Sequence, residues 1–542
     1  MKMKRIYNSL LTSLLTLVLI TGCNTDALHD LNVNPQALNQ MNMNFLFTSA
    51  QLGAASGGDV GDNRYIDWRT NIGFAAHAIQ QLATTGTSLI GCGDKYCDYF
   101  EQNDAPFDFI YGGQLKNIAE ILKQTGPGGF ESGQKNNMRQ ATRILRAFLF
   151  HRLTDYYGAI PYSEASQATN VGGAFFPKYD RQSVVYADLL KELDEATAAF
   201  TAANATDGFA SADLYYNGDV NKWKKWGYSL MLRLAMRVSN VDATMANTYV
   251  TKAVAGGVFT SNADNTWVPM ALAPSEWTNQ NGISRAMYPG DGGQANNSFL
   301  SKTLVDWLKG TNAGSTADDD PRLMIFTAGI ANWSASSFVV TNGDPLQQRG
   351  MPNGYDQAGL NTLEGSTADN NTRYSKVNWL MFQDDEPYML MNYGEVELLL
   401  AEAAQRNIGG VTGAKAHYDA GVKASMQMYT PYDASLTVAD AAVTTYLTTY
   451  EYNVHKPALE MIGEQLWVNK WMNWWEAWSD YRRTGFPNLT PTNYPGNQTA
   501  GTIPVKLKIP EREVSGNRFF LETGTLPNQY TTKVWWDGGT EN

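Results

Sequence analysis

The sequence predicts a mainly α-helical protein, a scaffold of tetratricopeptide-like helix pairs with long, irregular, loop-rich insertions and a few short strands. Three observations predict it. Apolar residues recur at helical spacing in four separated segments, and one further segment carries tetratricopeptide spacing. Between them lie two stretches crowded with Gly, Asn, Ser, Asp and Pro, where that period fades.

Taken in chain order, the first element is a leader. MKMKRIYNSLLTSLLTLVLITGCN places Lys2, Lys4 and Arg5 before an apolar run that ends at Ile20, the layout of a signal peptide. The run is too short and too broken by Thr and Ser to span a bilayer. Its end, Ile20-Thr21-Gly22-Cys23, resembles a bacterial lipobox, in which the Cys is acylated, with palmitate among its chains. Loss of residues 1–22 removes three cations and no acid, taking the formal charge from −12 to −15. That balance argues against nucleic-acid binding, which needs a basic face. Several acyl chains anchor a protein stably to a membrane.

With Cys23 assigned to lipid, Cys92 and Cys97 are left in GCGDKYCDY. An exported chain favours a disulfide between them. The rival reading, a metal site, has only two ligands and no nearby His.

The helical scaffold follows. Ile144, Leu145, Phe148, Leu149, Leu153 and Tyr156 form one stripe, as do Trp223, Trp226, Leu230, Met231, Leu234 and Val238. Val396, Leu399, Leu400 and Ala403 form a third. Trp467, Trp471, Trp474, Trp475 and Trp478 are spaced i, i+4, i+7, i+8, i+11, one face of a single helix, which reads as core. In the segment after the Gly409-Gly410 turn, Ala414, Tyr418 and Gly421 match tetratricopeptide spacing. The expected organisation is a leader at 1–22 and a scaffold at 23–257 with a loop-rich part at 53–104. A loop-rich insertion at 258–390 and a second scaffold part at 391–542 complete it.

Catalytic motifs are absent: there is no G-x-S-x-G, H-E-x-x-H, P-loop or G-x-G-x-x-G pattern. His29, His77, His151, His417 and His455 stand singly. No cofactor is expected. ADDDPR (317–322) could attract calcium, but an Asp-capped helix or turn before Pro321 is the favoured account.

Several segments together resemble the SusD/RagB family of nutrient-binding outer-membrane lipoproteins. They are the lipobox at Cys23, RILRAFLFHRLTDYYGAIPYSEA (143–165), WKKWGYSLMLRLAMRVSN (223–240), DPRL (320–323) and NYGEVELLLAEAAQR (392–406). EAWSDYRRTGFP (476–487), IPVKLKIPERE (503–513) and TKVWWD (532–537) complete the set. The resemblance implies a non-catalytic receptor, lipid-anchored in the outer membrane and facing the exterior. It would deliver an oligosaccharide, or alternatively a peptide, to a SusC-like TonB-dependent transporter. It also implies an aromatic arc from the early loops and the middle insertion. In this chain it suggests Arg64, Trp68, Tyr96, Tyr99, Trp277 and Tyr288, none of which lies in a motif shared position by position. The acidic tract seen after the lipid Cys in several family members is reduced here to Asp26 and Asp30. The rival function is a surface glycan hydrolase acting through unrecognised carboxylates.

One prediction rests on the leader alone. Cys23→Ala should move the protein from the outer-membrane fraction to the soluble fraction on cell fractionation; tight membrane retention of that variant would contradict the lipid anchor.

Overall fold

Helix pairs that follow one another in sequence also pack together in space. The computed structural model describes residues 41–56, 62–168, 173–202, 207–275, 277–289, 298–312, 314–517 and 527–541. The leader and Cys23 lie outside them. Among the described residues, nine helices form the scaffold: α1 (Asn136–Tyr157), α2 (Gln182–Ala198), α3 (Val220–Arg237), α4 (Ala243–Gly256), α5 (Tyr393–Gln405), α6 (Ala414–Met426), α7 (Asp440–Thr449), α8 (Ala458–Asn469) and α9 (Trp474–Thr484). The pairs α1/α2, α3/α4 and α5/α6 are joined through α2 on α3, α3 on α5, and α6 on α7 and α8. The fold is therefore mainly α, a stack of tetratricopeptide-like pairs.

Local chemistry sets the helix ends. Asp219 caps α3 by accepting from the amides of Asn221 and Lys222, Asp242 caps α4 through Met245, and Asn392 caps α5 through Glu395. Gly158 follows α1 with φ +81°, a conformation that a side chain would strain. The tetratricopeptide spacing has a packing reason as well. A Cβ on Gly421 of α6 would lie 2.8 Å from the Leu398 side chain of α5, so a small residue lets the two helices approach.

The insertion leaves the scaffold after α4 and returns at α5. Strand Thr266–Val268 pairs antiparallel with Tyr388–Met391 and closes its root. Within it, Gly329–Ser334 and Ser337–Asn342 form a hairpin, joined at the inner strand by Ser375–Lys376. The early loop region is tied to the insertion by pairing of Leu82–Ala83 with Phe299–Leu300. These strands are short, as the sequence predicts.

The tryptophan stripe corrects one expectation. All five indoles are buried, but they do not lie on one helix. The helix α8 stops at Asn469, Met472 takes φ +72°, and α9 starts at Trp474. A distant residue sets the break: Asn71 donates to the Met472 carbonyl at 2.9 Å and accepts the Trp475 amide at 3.0 Å. The break leaves Lys470 pointing inward, with Nζ 3.1 Å from Glu395 and bonded to Asp480.

That lysine belongs to a buried ion network at the joint of α1, α3, α5 and α9. Arg233 holds Glu395 bidentately at 2.6 and 2.7 Å, and Arg237 bonds Glu476 and reaches Asp480 and Asp155 at 3.4 and 3.5 Å. Arg483 bonds Glu402 at 2.5 Å. These side chains are almost wholly buried. The surrounding cations hold the Asp480, Glu395 and Glu402 carboxyls below the usual carboxylate range despite burial.

Burial also keeps two histidines neutral: His151, beside Glu476, is brought down to about 3, and His77 to about 4. A depressed folded-state pKa contributes stability that is complete above about pH 6.5, the unfolded value. That contribution is lost as pH falls towards the folded values. Unfolding at pH 5 should therefore bind about two protons from solvent at these groups, a slope of about 2.7 kcal/mol per pH unit. In urea melts between pH 7 and 4.5, His151→Gln should remove about one of those protons; an unchanged slope would contradict the assignment.

Candidate functional site

The strand pairing of Leu82–Ala83 with Phe299–Leu300 holds the early loops against the insertion, and the chemistry gathers at that seam. The segment Asp67–Ala76 is a π-helix, a wide turn that re-aims side chains. Asp67 faces inward, accepting from the Tyr388 hydroxyl at 2.9 Å and from Asn71 at 2.9 Å. Its neighbours Trp68 and Arg69 are left half-buried. Across the seam, the Asn63 amide donates to the Trp277 carbonyl at 3.0 Å.

Three of the six candidate residues meet here. The Arg64 guanidinium lies 5.7 Å from the Trp68 ring and 5.6 Å from the Trp277 ring. Trp277 is 45% exposed. Arg285, on the short helix Gly282–Met287, lies 4.8 Å from the same ring. One carboxylate orients both arginines: Asp62 accepts from the Arg64 amide and Nε at 3.0 Å and has Arg285 Nη1 at 3.4 Å. Arg285 Nη1 also donates to Asn63 at 2.8 Å. Behind Trp68, Arg69 stacks on Tyr65 at 3.9 Å and pairs with Glu101 at 2.9 Å, and Tyr65 meets the edge of Phe109.

An exposed indole flanked by fixed guanidinium groups suits a ring with apolar C–H faces and a polar edge. Nothing in this arrangement resembles a nucleophile with its base.

A family model described as starch-binding and associating with the outer membrane, SusD-like, matches residues 35–510. The chain belongs to the SusD-like family. A solved chitin-binding protein is 30% identical to this SusD-like chain, with a TM-score of 0.75, covering 92% of this chain and 100% of its own. A SusD-like protein from Bacteroidetes (AC2a) is 22% identical at a TM-score of 0.77, with 92% and 100% covered. A chitin-binding SusD homolog from Flavobacterium johnsoniae is also 22% identical, at a TM-score of 0.69, with 91% and 98% covered. These last two show the same fold. No curated protein sequence matches the chain. Among the described residues, no helix is long and apolar enough to cross a membrane.

The other candidate residues of this SusD-like chain lie elsewhere in the packing. Tyr96 is 1% exposed, with its hydroxyl accepting from the Thr492 amide at 3.2 Å, so its ring cannot meet a ligand. It sits inside the Cys92–Cys97 disulfide loop, whose Asp94 accepts from Asn353 and Gly354 of the insertion at 3.1 Å. That loop is a pin between the two regions. Tyr99 is half-buried and stacks on Phe100 at 5.7 Å, with no ring contact to Trp68 among the described residues. Tyr288 donates to the Ala335 carbonyl at the hairpin tip, at 2.5 Å.

The acidic run is divided among partners. Asp320 clasps Arg322 at 2.9 and 2.6 Å, and Asp318 accepts from Thr311 and Asn312. Asp319, pushed up to about 6 by burial, lines a cavity of about 310 Å³ with Tyr446 and Tyr450. Among the described residues, the one trio with metal-ligand spacing is His151, Asp155 and Glu476, and Arg237 already pairs with both acids.

Asp62, Asn63 and Arg285 escaped the sequence reading. Only the Asp62-x-Arg64 spacing hinted at a local ion pair; the approach of Arg285 depends on the tertiary seam.

Proposed function

We propose that this SusD-like protein is a non-catalytic receptor for chitin-type oligosaccharides, which it takes at the Trp68–Trp277 surface. The family description, starch-binding and associated with the outer membrane, supports glycan binding there. The relative at 30% identity is a chitin-binding protein, which supports the narrower ligand. The observation that carries the reading is the half-exposed Trp277 ring with Arg64 and Arg285 fixed against it by Asp62. Indole presents a flat apolar face to the C–H side of a pyranose, while the guanidinium edges donate to ring hydroxyls and carbonyls.

In the cell, the receptor is held at the outer membrane by acylated Cys23, facing outward, and passes its ligand to a SusC-like TonB-dependent transporter. Tethering above a pore makes transfer effectively intramolecular. Modest affinity, about −4 to −8 kcal/mol, then suffices and permits release.

Calorimetry on the detergent-solubilised protein should show saturable binding of chitooligosaccharides in the micromolar to millimolar range. Trp277→Ala should weaken it at least about tenfold, equivalent to about 1.4 kcal/mol, with unchanged circular dichroism and melting temperature. A preference for mixed peptides, or full affinity in the Trp277→Ala protein, would contradict the reading. Turnover of the glycan, abolished by one Asp or Glu substitution, would establish a hydrolase instead.

A further inference from the structure

The cavity beside Asp319 lies between the insertion and the scaffold and shares no residue with the Trp68–Trp277 surface. One wall is the turn 316–321 of the insertion. The other is helix α7, which presents Ala442, Thr445, Tyr446 and Thr449, with Tyr450 just beyond its end. At about 310 Å³ the cavity stands at the small end of ligand sites, which span about 300–1,000 Å³. Thr316, Ala317, Thr445 and Thr449 are exposed, so its mouth opens to solvent.

The charge in this cavity is unbalanced. Both carboxylate oxygens of Asp319 are buried, and neither has a hydrogen-bond partner among the described residues. The neighbouring cations are committed elsewhere. Lys309, which acts on Asp319, donates its ammonium to the carbonyls of Leu346 and Gln348 at 2.8 and 3.2 Å. Arg322 is taken up by Asp320, Ser425 and Gln465. Asp318 adds a further negative charge. The amide of Thr311, with its hydroxyl and the Asn312 amide, holds that carboxyl below the usual carboxylate range.

A buried polar group without a partner is destabilising, and folded proteins rarely leave one. A proton, a metal ion or an organic cation would each relieve it. Among the described residues the acidic run lacks metal-ligand spacing, and much of the lining is apolar, with Pro321, Leu323, Met324 and Pro345. A proton on Asp319 needs no cavity of this size. The tyrosines favour the third guest. Their rings lie 4.8 Å apart, tilted by 46°. Their hydroxyls are already engaged: Tyr446 accepts from Gln465 at 2.8 Å, and Tyr450 donates to the Asp318 carbonyl at 2.8 Å. Aromatic rings beside an ionised carboxylate attract a cation that carries its own apolar stem.

We propose that the Asp319 cavity is a separate binding site for an organic cation, a guanidinium or ammonium group on a short aliphatic stem. The cation pairs with the Asp319 carboxylate, and its stem lies against Tyr446, Tyr450 and the apolar side chains. Such a group comes either from a free small molecule or from an arginine or lysine side chain of a protein seated on this face. The site is independent of the glycan reading.

The test is calorimetry of the detergent-solubilised protein at about pH 7.5, where Asp319 is ionised. The probes are arginine amide and an end-blocked glycine–arginine–glycine peptide, each with a citrulline counterpart that keeps the shape and lacks the charge. At least one arginine probe should bind saturably, with its citrulline counterpart at least about tenfold weaker. Asp319→Asn should weaken the arginine probe about tenfold with an unchanged melting temperature, and Asp319→Glu should recover part of that loss. Binding of the amide alone assigns the site to a small molecule; binding of the peptide assigns it to a partner's side chain. Either result upholds the site. It is overturned if neither arginine probe binds, if citrulline binds equally well, or if Asp319→Asn keeps full affinity. Calcium binding that Asp319→Asn abolishes, without binding of either arginine probe, would make this a metal site and also overturns the proposal.

Discussion

The buried ion network at the centre of the scaffold is the constraint on which the other features depend. Arg237 of α3 touches acids from α1 and α9, and Arg233 binds Glu395 of α5. Lys470, in the break before α9, joins Glu395 to Asp480. Burying such charges carries a desolvation penalty that their attraction only roughly offsets, so the network adds little net stability over an apolar core. Removing one member is different, because it strands its partners and costs about 3–5 kcal/mol. The network therefore acts as a register lock. Helix pairs separated by the whole insertion are joined through these paired charges.

That lock positions the site. The insertion leaves from α4 and re-enters at α5, and its root is closed by the pairing of Thr266–Val268 with Tyr388–Met391. Tyr388, in that root, bonds Asp67, which fixes the π-helix that carries Trp68. The disulfide loop and the pairing of Leu82–Ala83 with Phe299–Leu300 fasten the seam elsewhere. Trp68 thus stands on a fixed element, and Asp62 holds both arginines beside it and Trp277. A preorganised surface of this kind loses little further entropy when a ligand binds.

Much of this was legible in the chain. The stripes of Ile144–Tyr156 and Trp223–Val238 report their own burial, because a helix that hides one face must repeat at 3.6 residues. The five tryptophans were legible as core but not as two helices, since the break depends on Asn71, some four hundred residues away. The same limit applies at the site. Arg64, Trp68 and Trp277 stood out as aromatic and basic residues in loops, and they do meet. Tyr96 stood out for the same reason, yet the disulfide turns its ring into the packing. Arg285 carries no local signal, and its role exists only once Asp62 is brought to it across the seam.

The central claim is that ligand binds at a preformed seam between the early loops and the insertion while the scaffold beneath stays unchanged. Hydrogen–deuterium exchange with and without chitin hexasaccharide tests it most directly. The account predicts slowed exchange in 62–69 and 277–288, with α1, α3, α5 and α9 unaffected. Protection centred on 316–324 and α7, around the Asp319 cavity, or spread through the scaffold helices, would contradict it.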